Sequence, residues 1–386
     1  MPASPSLLIV PARFKTGKLY TQIATTSAGL VLGSSGDFNV TRATTATRFN
    51  SAGLIESVAS GVPRLDYYTS GGTAGCPALL VEPSAQNLAL HSRDLTNAVW
   101  SGTTVTTAKN AVGADGVASG ATTITATAAS GTVLQALSHA SQSRVFSAYI
   151  RRVTGTGAIQ LTTNGGTNWT TVTISSLYTQ VACAAQTVAS GTIGIRLAVS
   201  GDVIEVDFTQ GEVGPAATSP IPTTAGTGSR NADVVTLSGA VSGCIGQTQG
   251  TIYAEVDIRA FNVGFIATIS DGTASNRIEF YKFTGNIIYF DRISSTQSAA
   301  TGLGSSALTA GIFKVAIAYK SGDTTMYING TQVGAIQTQT FTFSSLTKIN
   351  IGSSRSDGQA FNDRIRSLAL YTTRLTNAEL AALTTL

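Results

Sequence analysis

The chain has 386 residues, of which only 11% are charged and 42% apolar, with a net charge of +4. So little charge beside so much apolar content excludes a solvated, disordered chain, and Arg151-Arg152 is the only adjacent basic pair, which leaves no stripe for tracking phosphates and argues against nucleic-acid binding. No apolar run approaches the ~20 residues of a membrane-spanning helix; the short Leu7-Leu8-Ile9-Val10 run has no Lys or Arg before it and is broken up by Pro2, Pro5 and Pro11, so no secretion signal is expected and synthesis in a cytoplasm is.

The length accommodates two or three domains, each with its own core. Short alternating apolar runs, separated by Gly, Ser and Asn, predict an all-β protein rich in turns. Residues 1 to 90 contain few long strands and are expected to form an irregular or β connector that needs neighbours to bury its surface. From His91 to Thr223 the pattern is cleanly β: Val145 to Val153, Trp169 to Ile174, Leu177 to Cys183, Ile193 to Val199 and Val203 to Gln210 all have strand length. Ile193, Ile195, Leu197 and Val199 share one face; Ile204, Val206 and Phe208 share another, with Glu205 and Asp207 on the reverse. Two sheets packed face to face account for these runs. Thr223 to Asn231, rich in Thr and Gly, reads as a linker.

Residues 230 to 386 form the last segment. Phe313, Val315, Ile317 and Tyr319 alternate with Lys314, Ala316, Ala318 and Lys320, the pattern of a half-buried strand. Asn329-Gly330 between two strand runs predicts a tight hairpin, and Lys348 to Gly352 gives a further strand. Phe361 to Tyr371 is the last, with a phase slip between Ile365 and Leu368 that predicts a bulge. Thr376 stands three residues before Glu379 as a capping box, with Leu375 and Leu380 as a hydrophobic staple, so a short helix closes the chain. The whole is an all-β architecture: two β-sandwich (jelly-roll) domains in tandem after the connector. No repeat of solenoid length and no heptad pattern is present.

Three resemblances join these readings. Phe313-Lys314-Val315-Ala316, Met326-Tyr327-Ile328-Asn329-Gly330, Ile349-Asn350-Ile351-Gly352, Phe361-Asn362-Asp363-Arg364-Ile365 and Leu370-Tyr371, followed by Leu375 to Leu380, resemble the laminin G or concanavalin A-like lectin domain. The family usually has Gly where this chain has Asp363. Arg42 to Glu56, Val62 to Tyr67, Cys76 to Pro83 and Gln86-Asn87-Leu88, with Lys18-Leu19-Tyr20 and Gly36-Asp37-Phe38 upstream, resemble a connector segment of bacteriophage tail-fibre and head-fibre proteins. Phe146 to Arg151, the Trp169 strand, Gly201-Asp202, Gln210 to Gly214 and Ala217 to Thr223 resemble the carbohydrate-binding-like jelly-roll modules of the same proteins. These resemblances imply a non-enzymatic virion fibre or spike protein. Residues 1 to 90 would attach it to other virion proteins, and residues 91 to 223 and 230 to 386 would carry the two modules. Its partner would be a host-surface glycan or receptor, its state a homo-oligomer, most simply a trimer, and its place the virion. A purely architectural capsid or tail role, and a glycan depolymerase, are the alternatives.

Little in the sequence signals chemistry. The only histidines are His91 and His139; His91-Ser92-Arg93-Asp94 holds the letters of a triad, but triad members meet through folding and not as neighbours. Cys76, Cys183 and Cys244 lie far apart without metal or redox spacing. Glu205 with Asp207, and Glu255 with Asp257, have the separation of a glycosidase acid pair but lack an aromatic cluster and read as outward polar residues. Trp100 and Trp169 are the candidate sugar platforms, each also a candidate core residue. The turns Asp271 to Asn276 and Arg355 to Gly358 carry Asp271, Asn276 and Asp357, candidate calcium ligands that ordinary Asp-Gly turn chemistry also explains.

Overall fold

A computed structural model describes residues 4–25, 29–32, 37–70, 73–238, 243–294, 301–343 and 345–386. Gly36 of the Gly36-Asp37-Phe38 motif lies outside these. The chain forms two compact units. The first comprises Met1–Ala43, Val58–Pro83 and Ala232–Leu386, the second Thr44–Ser57 and Ser84–Asn231. Residues 1 to 90, set apart above as a connector, are therefore shared between the two.

The first unit is a sandwich of two sheets. Its first sheet is centred on Gln249–Ile258, which pairs on one side with Gly311–Lys320 and on the other with Asp363–Tyr371. Asp323–Ile328 and Thr331–Gln337 extend it outward as the hairpin whose turn residues Asn329 and Gly330 both have positive φ, 47° and 82°. On the far side Asp363–Tyr371 is long enough to hold two strands from the beginning of the chain. Ala78–Val81 pairs with its first residues and Leu7–Ile9 with its last. The phase slip seen in the sequence is a bulge: Glu255 faces Ser367 and Val256 faces Ile365, which leaves Arg366 as the extra residue.

The second sheet runs, edge to edge, through Phe14–Lys15, Lys18–Leu19, Phe38–Thr41, Val234–Ser238, Lys348–Ile351, Gly264–Ser270, Arg277–Phe283, Ile287–Ile293 and Thr301–Gly304. Leu7, Ile9, Phe38 and Val40 of the early strands enter the same core as Ile252, Ile317, Phe280 and Ile349. The N-terminal segment is thus an integral part of both layers. Gly311–Lys320 differs from expectation in one respect. Ala316 and Ala318 are as buried as Val315 and Ile317, because the closing helix Asn377–Thr384 covers that face with Leu375 and Leu380. Alanine at those two positions leaves room for the helix, so the strand is buried on both faces.

In the second unit one sheet is built around Val203–Val213, flanked by Ala121–Ala126 on one side and Gln142–Thr154 on the other. Its partner contains Ser101–Thr103, Gly131–Ala136, Thr192–Leu197, Ile159–Thr162 and Thr170–Val172. Ile193, Ile195, Leu197, Ile204 and Val206 meet in the shared core. Two expected members do not. Val199 lies past the end of its strand and is 50% exposed, and Phe208, at φ 46°, turns to the opposite face. There it packs with Ile55, Ala114 and Tyr149 in a separate small cluster.

Candidate functional site

The outer face of the second sheet in the first unit carries a row of aromatic side chains. Two strands, Arg277–Phe283 and Ile287–Ile293, are joined by Thr284-Gly285-Asn286, where Gly285 and Asn286 have φ of 82° and 64°. Each strand contains two adjacent aromatics, and the pleat sends one of each pair to either face. Phe280 and Phe290 go to the core with no exposure. Tyr281 and Tyr289, directly opposite each other, go outward. Phe265 stacks on Tyr281 at 4.9 Å between ring centres, Tyr289 lies 5.3 Å away on its other side, and Phe283 meets it edge-on at 6.2 Å. Tyr281 and Tyr289 are half-buried and Phe283 is 43% exposed, whereas Phe265, at 7%, is covered and supports the row from beneath its neighbour.

Glycine makes room for this row. Gly304 pairs with Tyr289, and a Cβ placed on Gly304 or Gly302 would lie 2.9 or 2.0 Å from the Tyr289 side chain. The ring therefore occupies the space that side chains at positions 302 and 304 would otherwise fill.

One row along, Glu279 and Asp291 face each other across the same two strands. Directly opposed side chains have Cβ atoms about 4.5–5.5 Å apart and like charges there repel. Arg277 offsets part of this through a 2.7 Å contact from Nε to Glu279 Oε2. Burial, and then Glu279, push the Asp291 carboxyl above the usual carboxylate range, with Arg277 opposing. Burial, followed by Asp291 and Tyr289, likewise pushes the Tyr281 hydroxyl up. The face thus offers rings for apolar contact and, beside them, carboxyl and guanidinium groups for hydrogen bonds.

None of these residues stands out in the sequence as a candidate for binding, and the residues that do are placed elsewhere by the fold. Trp100 is a core residue, 5% exposed, its indole N–H donating to the Leu90 carbonyl at 3.0 Å, so it has no open ring to offer. Trp169 is half-buried, with the Arg196 guanidinium 4.6 Å over its ring. Asp271 accepts from the amide and hydroxyl of Thr273, both at 2.7 Å, and from the Asn276 side-chain amide at 2.9 Å. Asp357 accepts from Asn350 Nδ2 at 2.6 Å and faces the Lys348 ammonium at 3.4 Å. These three candidate calcium ligands are engaged with protein groups, and among the described residues no three His, Cys, Asp or Glu side chains gather at one point. Glu205 and Asp207 are held by Arg151 and Arg93, and Glu255 and Asp257 by Arg366 and Arg364. All three cysteines are free thiols, and Cys183 and Cys244 are buried.

Asp363, the departure from the family pattern, has a clear task. It opens the last strand and receives the buried ammonium of Lys282 together with Arg259 Nε at 2.9 Å. The positive φ falls one residue earlier, on Asn362 at 55°.

Residues 227–381 match the laminin G family described as the concanavalin A-like lectin/glucanases superfamily. This stretch is similar to a concanavalin A-like lectin domain. The aromatic row lies within it. Solved structures similar to the chain include the CBM40 of the Ruminococcus gnavus IT-sialidase, at 17% identity over 36% of this chain and 85% of that one, with a TM-score of 0.33. Domain 4 of AbnA, a GH43 extracellular arabinanase from Geobacillus stearothermophilus in complex with arabinotriose, is 14% identical over 44% of this chain and 82% of that one, TM-score 0.33. The native heptameric SAP-like pentraxin from Limulus polyphemus is 15% identical over 34% of this chain and 68% of that one, TM-score 0.28. No curated protein matches the chain. No helix among the described residues is long and apolar enough to cross a membrane.

Proposed function

We propose that the protein is a non-enzymatic fibre or spike component of a bacteriophage virion, structural and adhesive, whose lectin-like domain binds a host-surface glycan on the face bearing Tyr281, Phe283 and Tyr289. The observation that carries the adhesive part is that row of rings, held open by Gly302 and Gly304 in a lectin-like domain. Sugar rings present an apolar face to aromatic side chains and their hydroxyls to nearby polar groups. Support for the virion setting comes from the ordered resemblance over residues 15 to 90. Attachment to other virion proteins, and a trimeric state, rest on that resemblance alone. Residues 1 to 90 have a thin core of their own, a second motive for an oligomer, but Leu7–Ile9, Phe38–Thr41 and Ala78–Val81 find their partners within the first unit's sheets.

Glycan binding by the intact chain on an array, reduced about tenfold or more in Tyr281→Ala and Tyr289→Ala, is the expected result, in line with the share that central aromatic contacts take in interfaces. Binding unchanged in both variants would remove this face from the proposal. A depolymerase reading draws on Glu279 and Asp291, the acid pair that does have aromatic neighbours. Arg277 engages Glu279, and the pair sits on a sheet surface, which favours binding over hydrolysis. Release of reducing ends from host polysaccharide, lost in Glu279→Gln, would reverse that choice. Light scattering at micromolar concentration reports the trimer.

A further inference from the structure

The second unit contains a cleft of about 490 Å³, within the range of small-ligand sites. Its lining includes His91, Arg93, Asp94, Lys109, Ser119 and Thr224. Two of these, His91 at φ 47° and Ser119 at φ 53°, hold left-handed backbone without being glycine. Such conformations are costly for residues other than glycine and cluster at functional sites. The His91 backbone is fixed by its N–H to the Thr224 carbonyl at 2.7 Å, and its own carbonyl accepts from the Asp94 amide at 2.9 Å.

The charges are arranged unequally. Arg93 is neutralised from behind: its Nε donates to Asp207 Oδ1 at 2.8 Å, and its Nη2 to Asp207 Oδ2 at 2.9 Å and Asp115 Oδ1 at 2.7 Å. Lys109 is not. Its Nζ donates to two neutral acceptors, the carbonyls of Arg93 at 2.8 Å and Gly120 at 2.7 Å, and makes no ion pair among the described residues. An ammonium has three donors, so one N–H remains. Burial pulls its pKa down even though Asp207 and Asp94 act in the other direction. Asp94 uses Oδ1 on the amide and hydroxyl of Thr96 and keeps Oδ2 without a partner among the described residues. The hydroxyl of Ser119 and the ring of His91 likewise have no side-chain partner there.

We infer that this cleft is a second saccharide site, built for an acidic sugar whose single carboxylate meets the Lys109 ammonium while its hydroxyls meet Asp94, Ser119 and Thr224. One free cation beside one free carboxylate oxygen suits a monoanion with hydroxyl groups; a phosphate dianion would face Asp94 with a single counter-charge. The inference rests on the glycan-binding reading for the saccharide character of its ligand and concerns a different unit.

Calorimetric titration of the full chain with uronate-bearing trisaccharides, their methyl esters and acetate tests it. Saturable binding of the acid form is expected, at least tenfold weaker for the ester, at least tenfold weaker in Lys109→Met and several-fold weaker in Thr224→Val. Thr224→Val covers the case in which Lys109→Met fails to fold, because Thr224 lies exposed outside the regular strands. Equal binding of acid and ester, acetate binding as tightly as the trisaccharide, or no effect of either cleft variant would overturn the inference. Neutral glycans still bound in a Tyr281-dependent way would show that the cleft proposal alone had failed; loss of that binding too would take the first proposal with it.

Discussion

Arg64 has no solvent-exposed surface and lies between two carboxylates, with Nη1 2.7 Å from Glu82 and Nη2 on Asp233. Burial alone would draw its proton off more easily, but Asp233 and Glu82 outweigh that and hold the guanidinium above its usual range. Arg42 joins the same Asp233 at 2.8 Å, Arg259 approaches Glu82 at 3.6 Å, and Asp363 ties Arg259 to Lys282. Removing one member of a buried set leaves uncompensated charge, which typically costs about 3–5 kcal/mol. Arg64→Met is therefore expected to lower the stability of the first unit by about that amount, read as a drop in the urea midpoint with an unchanged slope. The residue types alone suggest that Arg42, Arg48, Arg64, Asp66 and Glu82 satisfy one another and nearby carbonyls; Arg64 does meet Glu82, but Arg48 pairs with Glu56 and Asp66 with Arg364. The residue types do not reveal Asp233, because that partner lies far along the chain and nothing local marks it.

Signals confined to a few neighbouring residues were legible. The Asn329-Gly330 turn, the bulge at Arg366 and the Thr376 cap all follow from short patterns and are all present. In the cap the Thr376 hydroxyl accepts from the Glu379 amide, and the Glu379 side chain accepts from the Thr376 amide at 2.8 Å. Loss of such a cap costs roughly 0.5–2 kcal/mol. Thr376→Ala should lower the thermal midpoint by a few degrees and speed amide exchange in Asn377–Thr384 before it affects the sheets. The aromatic row was not legible, for an equally local reason. In Phe280-Tyr281 and Tyr289-Phe290 two large rings adjoin, so alternation alone cannot decide which faces the core. The Thr284-Gly285-Asn286 turn decides it by fixing the register.

For the molecule as a whole, alternation identified strands but could not assign them to sheets. Leu7–Ile9, Phe38–Thr41 and Ala78–Val81 are too short to advertise partners more than 150 residues away, yet they flank Asp363–Tyr371 and Val234–Ser238. A fragment of residues 230 to 386, the boundary read from the sequence, would lack all three. Their absence would leave unpaired strand edges and bare part of the core, a condition that favours association between chains. That fragment is expected to aggregate, whereas the intact chain gives a discrete species by size-exclusion chromatography; a soluble, cooperatively melting fragment would contradict the interleaved layers.

Glu82 and Asp233 also sit where the chain leaves the lectin-like sandwich and where it comes back. The Asp233 amide donates to the Glu82 carbonyl at 3.0 Å, and the Glu82 amide to Asp233 Oδ2 at 3.0 Å. The long excursion from Ser84 to Asn231 thus starts and finishes at a single clasp. Such a clasp is a natural socket: a different body of similar end-to-end spacing could be plugged in between Pro83 and Ala232 while the host layers keep every strand they need, provided that Thr44–Ser57, whose Ile55 packs into the departing unit, is recut with it.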